Sequence, residues 1–234
     1  MSLLRLITKE QRRRATSYHL WDAEKNLRAL EDSSSWYVDA TFSSSPQLFY
    51  QLLTIHAEMV NFNEDATWVF PCIYILLTHK DTPIYKKAFE ALDSLGNFSP
   101  DNIMVDYELA LRNALSAIFP SAQVDGCYFH LCQAVMRAVQ RLGYKEQYER
   151  VTTWNAYDRT HFHMNRTNNF VESWNKKFST ILGHSNPTIY NFITALQMEQ
   201  SSTDGKHAAY LVGENPTKRK KAHSDKDMRI HRIV

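Results

Sequence analysis

Ser35-Trp36-Tyr37-Val38-Asp39-Ala40-Thr41-Phe42 is the stretch whose reading decides the fold. Side chains alternate along a strand, so Trp36, Val38, Ala40 and Phe42 share one face and Tyr37, Asp39 and Thr41 the other. Aromatic and β-branched residues favour a strand, whereas Asp disfavours one. Asp39 therefore either faces solvent on a half-exposed sheet or is present for its charge. Residues 43–46 read as a turn, and the runs 48–57 and 68–79, rich in Tyr, Ile, Val and Phe, predict two further strands. The connections are short enough for an antiparallel meander.

Working outward, residues 8–31 place Leu20, Trp21, Leu27 and Leu30 at roughly helical spacing, which predicts a helical lead-in over 1–34. Downstream the rhythm changes. A helix over 83–95 ends near Gly96, Asn102-Ile103-Met104-Val105-Asp106 is a short buried strand, and a helix over 107–119 stops at Pro120. A strand over 123–129 and helices over 131–150, 168–182 and 187–202 follow. Three antiparallel strands and then strand–helix–strand–helix is a mixed α/β pattern with a five-stranded sheet. Right-handed crossovers lay the fourth strand beside the first.

That neighbourhood gives two acids a shared position. Asp39 lies in the first strand and Asp106 at the carboxyl end of the fourth, the end at which open α/β sheets build their sites. Two nearby carboxylates repel unless a divalent cation lies between them, and Mg²⁺ accepts one or two carboxylates together with substrate phosphates. The alternative for Asp106 is an N-cap of the helix that follows, and Glu108 fits a first-turn acid favoured by the helix dipole. In Asn169-Phe170-Val171-Glu172, Asn and Glu have capping-box spacing, and Glu172 could also pair with Lys176 one turn on.

The chain has 234 residues, 44% hydrophobic and 22% charged, which suits one folded domain with a tail and excludes wholesale disorder. The net charge of +2 is unevenly spread. Residues 206–234 hold eight Lys/Arg against three Asp/Glu, a net +5 that leaves −3 on the remainder. Lys218-Arg219-Lys220-Lys221 in this flexible basic tail could bind phosphates, act as a nuclear-import signal, or simply be solvated. Arg12-Arg13-Arg14 reads more weakly, as one face of a helix. Three cysteines, Cys72, Cys127 and Cys132, make no disulfide framework and point to a reducing compartment. The N-terminus is interrupted by charge too soon for a signal peptide. The most apolar run, 68–78, falls short of the about 20 residues of a membrane helix. The expectation is a soluble, intracellular protein.

Several blocks, taken in order, carry a family signature. Tyr37-Val38-Asp39-Ala40-Thr41-Phe42 and Phe49-Tyr50-Gln51-Leu52-Leu53-Thr54-Ile55-His56 are followed by Asp106-Tyr107-Glu108-Leu109-Ala110 and Phe119-Pro120-Ser121-Ala122. Gly126-Cys127-Tyr128-Phe129-His130-Leu131 and Arg166-Thr167-Asn168-Asn169-Phe170-Val171-Glu172-Ser173-Trp174-Asn175 complete the set. Together they resemble a Mutator-like element (MULE) transposase domain, with the resemblance running from about residue 20 to 200.

The resemblance implies a ribonuclease H-like fold over 35–205 and a DDE-type active site. Asp39 matches the first acid, Asp106 the second and Glu172 the third, on a late helix that packs across the sheet. It implies two Mg²⁺ or Mn²⁺ as cofactors, DNA as partner and the nucleus as compartment, with no membrane and with a homodimer left open. The implied reaction is metal-dependent: water attacks a DNA phosphate and releases a 3′-hydroxyl, which attacks a second phosphate in strand transfer. Cys127 and His130 match the family's Cys-x-x-His element. Thiolate and imidazole are good Zn²⁺ ligands, but a structural zinc needs four, and Cys132, His161 and His163 lack supporting spacing. The alternative is a buried core Cys with His130 hydrogen-bonded beside the acids. Tyr50, His56, Trp174 and Asn175 receive only packing or supporting roles. Two departures stand out: the helical segment before the Arg-Thr-Asn-Asn block is shortened, and no DNA-recognition module is expected ahead of the domain. The rival function is a transposase-derived, non-catalytic DNA- or protein-binding module.

Overall fold

The computed structural model describes residues 5–11, 16–60, 67–143 and 169–216. Its strands are β1 (Arg5–Gln11), β2 (Thr16–Asp22), β3 (Ser35–Thr41), β4 (Gln51–Val60), β5 (Thr67–Leu77), β6 (Asn102–Val105) and β7 (Gln123–Gly126). The helices are α1 (Glu24–Asp32), α2 (Thr82–Asp93), α3 (Leu109–Ile118), α4 (Tyr128–Arg141), α5 (Asn169–Leu182) and α6 (Ile189–Leu211). All seven strands form one sheet in the order β1-β2-β5-β4-β3-β6-β7.

The five strands from β5 to β7 in that order are the predicted ones. β3, β4 and β5 run antiparallel, and β6 lies parallel beside β3, with β7 parallel beyond it. This mixed sheet flanked by helices has the arrangement of a ribonuclease H-like fold. The expected alternation in β3 holds: Trp36 and Val38 enter the core on one face with Leu53, Ile55, Ile103 and Val105, while Tyr37 faces Met104 and Cys127 on the other.

The helical lead-in is corrected. Residues 5–11 and 16–22 are a β-hairpin that widens the sheet from five strands to seven, and only 24–32 is helical. The spacing misled because β2 is covered on both faces. Tyr18 and Leu20 pack on one side and Trp21 on the other, so no polar alternation marks it as a strand. Arg12-Arg13-Arg14 lies outside the described residues.

Pro71 sits inside β5 although strands tolerate proline poorly. Ile55 pairs with Ile73 but His56 pairs with Pro71, so a bulge falls there. β2 pairs with β5 only at 74–77, so Pro71 is asked for no amide on that side. The buried Asn26 side chain donates to the Cys72 carbonyl at 3.2 Å, satisfying a bulge oxygen from α1.

Helices α1, α2 and α3 bury Leu27, Leu30, Ile84, Phe89, Leu111 and Leu115 against the Trp36 face. Each such fully buried side chain contributes about 1.5–3 kcal/mol of transfer free energy. On the opposite face α5 presents Val171, Trp174, Phe178 and Leu182 along one stripe. In α2, Asp81 accepts from the Ile84 amide at 3.0 Å and Pro83 occupies the first turn, so the start is well specified.

α6 runs to Leu211 rather than ending near 202. Its buried stripe is apolar at Phe192, Ala195 and Leu196, then polar at Glu199, Gln200, Thr203 and His207. Glu199 and Gln200 in the polar half are hydrogen-bonded, and His207 packs through its ring. Glu199 accepts from Trp174 Nε1 at 3.1 Å and from Lys177 Nζ at 2.7 Å, Gln200 exchanges hydrogen bonds with Asn26, and His207 stacks on Phe70 at 4.0 Å. A stripe that changes from apolar to polar looks, in sequence, like a helix leaving the core. No helix among the described residues is long and apolar enough to cross a membrane.

Candidate active site

The parallel register of β3 and β6 fixes the first two acids. Ser35 pairs with Asn102, Trp36 with Ile103 and Tyr37 with Met104, and continuing two residues sets Asp106 alongside Asp39. Neighbouring strands lie about 4.8 Å apart. By strand parity both acids belong to the face that carries Tyr37, Met104 and Cys127. α5 packs on this face, and its first turn carries Glu172.

Burial and neighbouring charge both act on Asp39. Asp39 is 6% exposed, and its carboxyl is pushed up to about 7, first by burial, then by the charges of Asp106 and Glu172. Against these, Asn175 Nδ2 donates to Asp39 Oδ2 at 2.8 Å. Asn175 is three residues beyond Glu172, so one helical turn supplies both an acid and the donor that orients another acid. Burial also raises Glu172, and His130 opposes the shift.

Asp106 does not cap α3 in the expected way. The helix begins at Leu109, and Asp106 Oδ1 instead accepts the Glu108 amide at 2.9 Å, an Asx-turn that holds the loop. Glu108 accepts from Tyr85 Oη at 2.9 Å, and Tyr85 in turn accepts from Gln51 Nε2 at 2.6 Å. Glu108 is therefore tied to a buried polar chain behind the site. The tip of the half-exposed Tyr107 ring lies against Gly126, so a side chain there would displace the ring.

The residues fit a divalent cation. The Asp39 carboxyl is raised first by burial and then by the charges of Asp106 and Glu172, and Glu172 Oε1 is buried without a hydrogen-bond donor. A bound cation relieves both costs, and all-oxygen carboxylate ligation suits Mg²⁺ or Mn²⁺. Cys127, at the start of α4, His130 and Glu172 also group together, with ligand atoms all within 4.8 Å of one another. The sequence joined the first two of these residues but not the third. The Cys132 side chain, His161, His163, the shortened helical segment and Lys218, Arg219, Lys220 and Lys221 lie outside the described residues.

Three neighbours were missed or underread. Asn175 was given only a supporting role, and its spacing from Glu172 was the available signal. Lys80 Nζ lies 5.8 Å from the ring centroids of both Phe42 and Tyr50, two half-exposed aromatics near the carboxyl end of β3. Arg112 lies over Tyr107 at 5.9 Å beside Asp106. Lys80 and its two rings come from separate segments, so no local pattern announced them, whereas Arg112 and Tyr107 are only five residues apart.

The fold is a mixed α/β sheet flanked by helices, compatible with a ribonuclease H-like domain, with Asp39 and Asp106 brought side by side by the parallel register of β3 and β6. Residues 35–134 match the family model described as MULE transposase domain. No curated protein matches the chain.

Proposed function

We propose that the protein is a metal-dependent DNA phosphodiester-processing domain of transposase type, with Asp39, Asp106 and Glu172 holding two Mg²⁺ or Mn²⁺ ions. The family-model match over residues 35–134 supports a transposase-related function; hydrolysis and strand transfer are our own reading. The observation that carries it is the buried Asp39 side chain, set beside Asp106 by the parallel register of β3 and β6 and hydrogen-bonded by Asn175 from the helix that carries Glu172. Gathering these charges costs the folded state electrostatic free energy, which is expected where a cation is to be held.

Divalent ions at such a cluster stabilise the attacking and leaving oxygens of an in-line phosphoryl displacement. The chain's own residues do the rest. Asn175 fixes the Asp39 carboxylate, the Asx-turn at Asp106 sets that carboxylate at the strand end, and α5 brings Glu172 across the sheet. Lys80 and Arg112, each beside a half-exposed aromatic ring, supply cation and stacking surface for a nucleic-acid strand next to the acids. The basic segment 218–221 would add phosphate contacts whose strength falls steeply with salt. A domain acting on DNA in this way would work in the nucleus. The gathered acids support this reading over a binding-only module.

Nicking of supercoiled plasmid by the full chain tests it. The expected result is cleavage with Mg²⁺ or Mn²⁺ that D106N and E172Q each reduce by at least about 100-fold, the scale of losing a main electrostatic group. Equal nicking by wild type and both variants would reject the reading.

A further inference from the structure

Cys127, His130 and Glu172 form a cluster of different chemistry from the acids. Cys127 caps α4 where β7 ends and is completely buried. His130 is three residues on, so it projects from the same side of the helix. Glu172 approaches from the first turn of α5, and all three ligand atoms lie within 4.8 Å of one another. His130 Nε2 and Glu172 Oε1 are 3.9 Å apart, too far for a hydrogen bond. It is close to the about 3.3–3.8 Å edge of a tetrahedron built from zinc–ligand bonds. Glu172 Oε1 is buried with no hydrogen-bond donor to satisfy it.

We propose that Cys127, His130 and Glu172 form a second cation site, selective for Zn²⁺, that shares Glu172 with the acid cluster and withdraws it from Asp39 and Asp106 when occupied. Thiolate and imidazole select a borderline-soft ion over Mg²⁺, which prefers oxygen. Three protein ligands leave the fourth tetrahedral position open to water. Reaching bonding geometry from 4.8 Å takes a shift of about 1 Å, within the rotamer freedom of a Glu side chain on a helix surface. Glu172 cannot give its best geometry to both sites, so Zn²⁺ at one weakens cation binding at the other. The regulatory consequence rests on the proposed role of Glu172; the Zn²⁺ site itself does not.

Co²⁺ titration of the full chain reads the site directly, because thiolate ligation gives a near-ultraviolet charge-transfer band and tetrahedral geometry gives intense visible bands. Wild type and D39N should both show these bands, competed away by Zn²⁺. C127S should lose the near-ultraviolet band, and H130Q and E172Q should each weaken affinity by more than about 10-fold, a loss that removing an outer partner of a ligand can already cause. H130Q guards against a folding defect in C127S, since the His130 side chain is 27% exposed. Absence of tetrahedral bands in wild type, or a full band in C127S, overturns the site. Unchanged affinity in E172Q overturns the sharing. Zn²⁺ should inhibit Mn²⁺-dependent nicking in wild type but not in C127S. A chain that never nicks DNA yet shows the Co²⁺ spectrum refutes the nuclease and leaves the Zn²⁺ site standing.

Discussion

Replacing Asp39 by Asn should stabilise the metal-free protein at pH 8. The Asp39 carboxyl has an ordinary value of 3.8 and is pushed up to about 7 in the fold. The folded state therefore binds the extra proton between these values. This contribution to stability is fully present below 3.8 and is lost as pH rises through about 7. A folded and an unfolded pKa that differ by one correspond to about 1.4 kcal/mol, so ionised Asp39 costs up to about 4 kcal/mol at pH 8. Asn keeps an oxygen for the Asn175 donor and carries no charge toward Asp106 or Glu172. D39N should gain about 2–4 kcal/mol at pH 8, and the gain should shrink toward zero near pH 4. For a domain of this size that is a rise in Tm of roughly 4–16 °C. Thermal melts in a chelator at pH 8, 7, 6 and 5 measure it. A D39N protein less stable than wild type at pH 8, or a difference independent of pH, would refute the reasoning.

Three further side chains give expectations, each with its own assay. His56 is buried and lowered to about 3, so the folded state holds fewer protons than the unfolded below 6.5. Its stability contribution is lost as pH falls from 6.5 toward 3, at up to about 1.4 kcal/mol for each pH step of one. The Asp39 effect has the opposite sign over much of that range, so H56Q should melt with a clear gain on acidification while wild type stays flatter. N175A removes a 2.8 Å bond to a carboxylate and should lower nicking by about 10–100-fold, the equivalent of about 1.5–3 kcal/mol. Wild-type nicking by both N175A and N175L would show that this bond does not matter. E199A strips the buried acceptor from Trp174 and Lys177 and should lower unfolding free energy in urea by about 3 kcal/mol or more. A midpoint unchanged from wild type would show that this pair adds nothing.

Much of the site was legible because strand parity and short crossovers are local rules. Asp39 breaks an apolar strand, Asp106 ends another, and the crossover rule alone sets those strands side by side. Glu172 was not legible from spacing, since Asn169 and Glu172 have capping-box form and nothing local says that α5 crosses the sheet. Only the ordered family blocks picked it out. The N-terminal hairpin was misread because the adjacent apolar Leu20 and Trp21 pack on opposite faces of β2, which breaks the period of two there. The end of α6 was misread because its buried stripe becomes polar at Glu199, and Glu199 and Gln200 find their partners on α5 and α1. The contact between Glu172 and the Cys127–His130 pair joins segments more than 40 residues apart and is purely tertiary.

Cation binding by the acids around Asp39 is what the proposed function requires first. Calorimetric titration of Mn²⁺ into wild type, D39N and D106N at pH 8 measures it most directly. Saturable binding in wild type, weakened by at least about 10-fold in each folded variant, is the predicted result. Equal isotherms for all three proteins, or no heat from folded wild type, would contradict it.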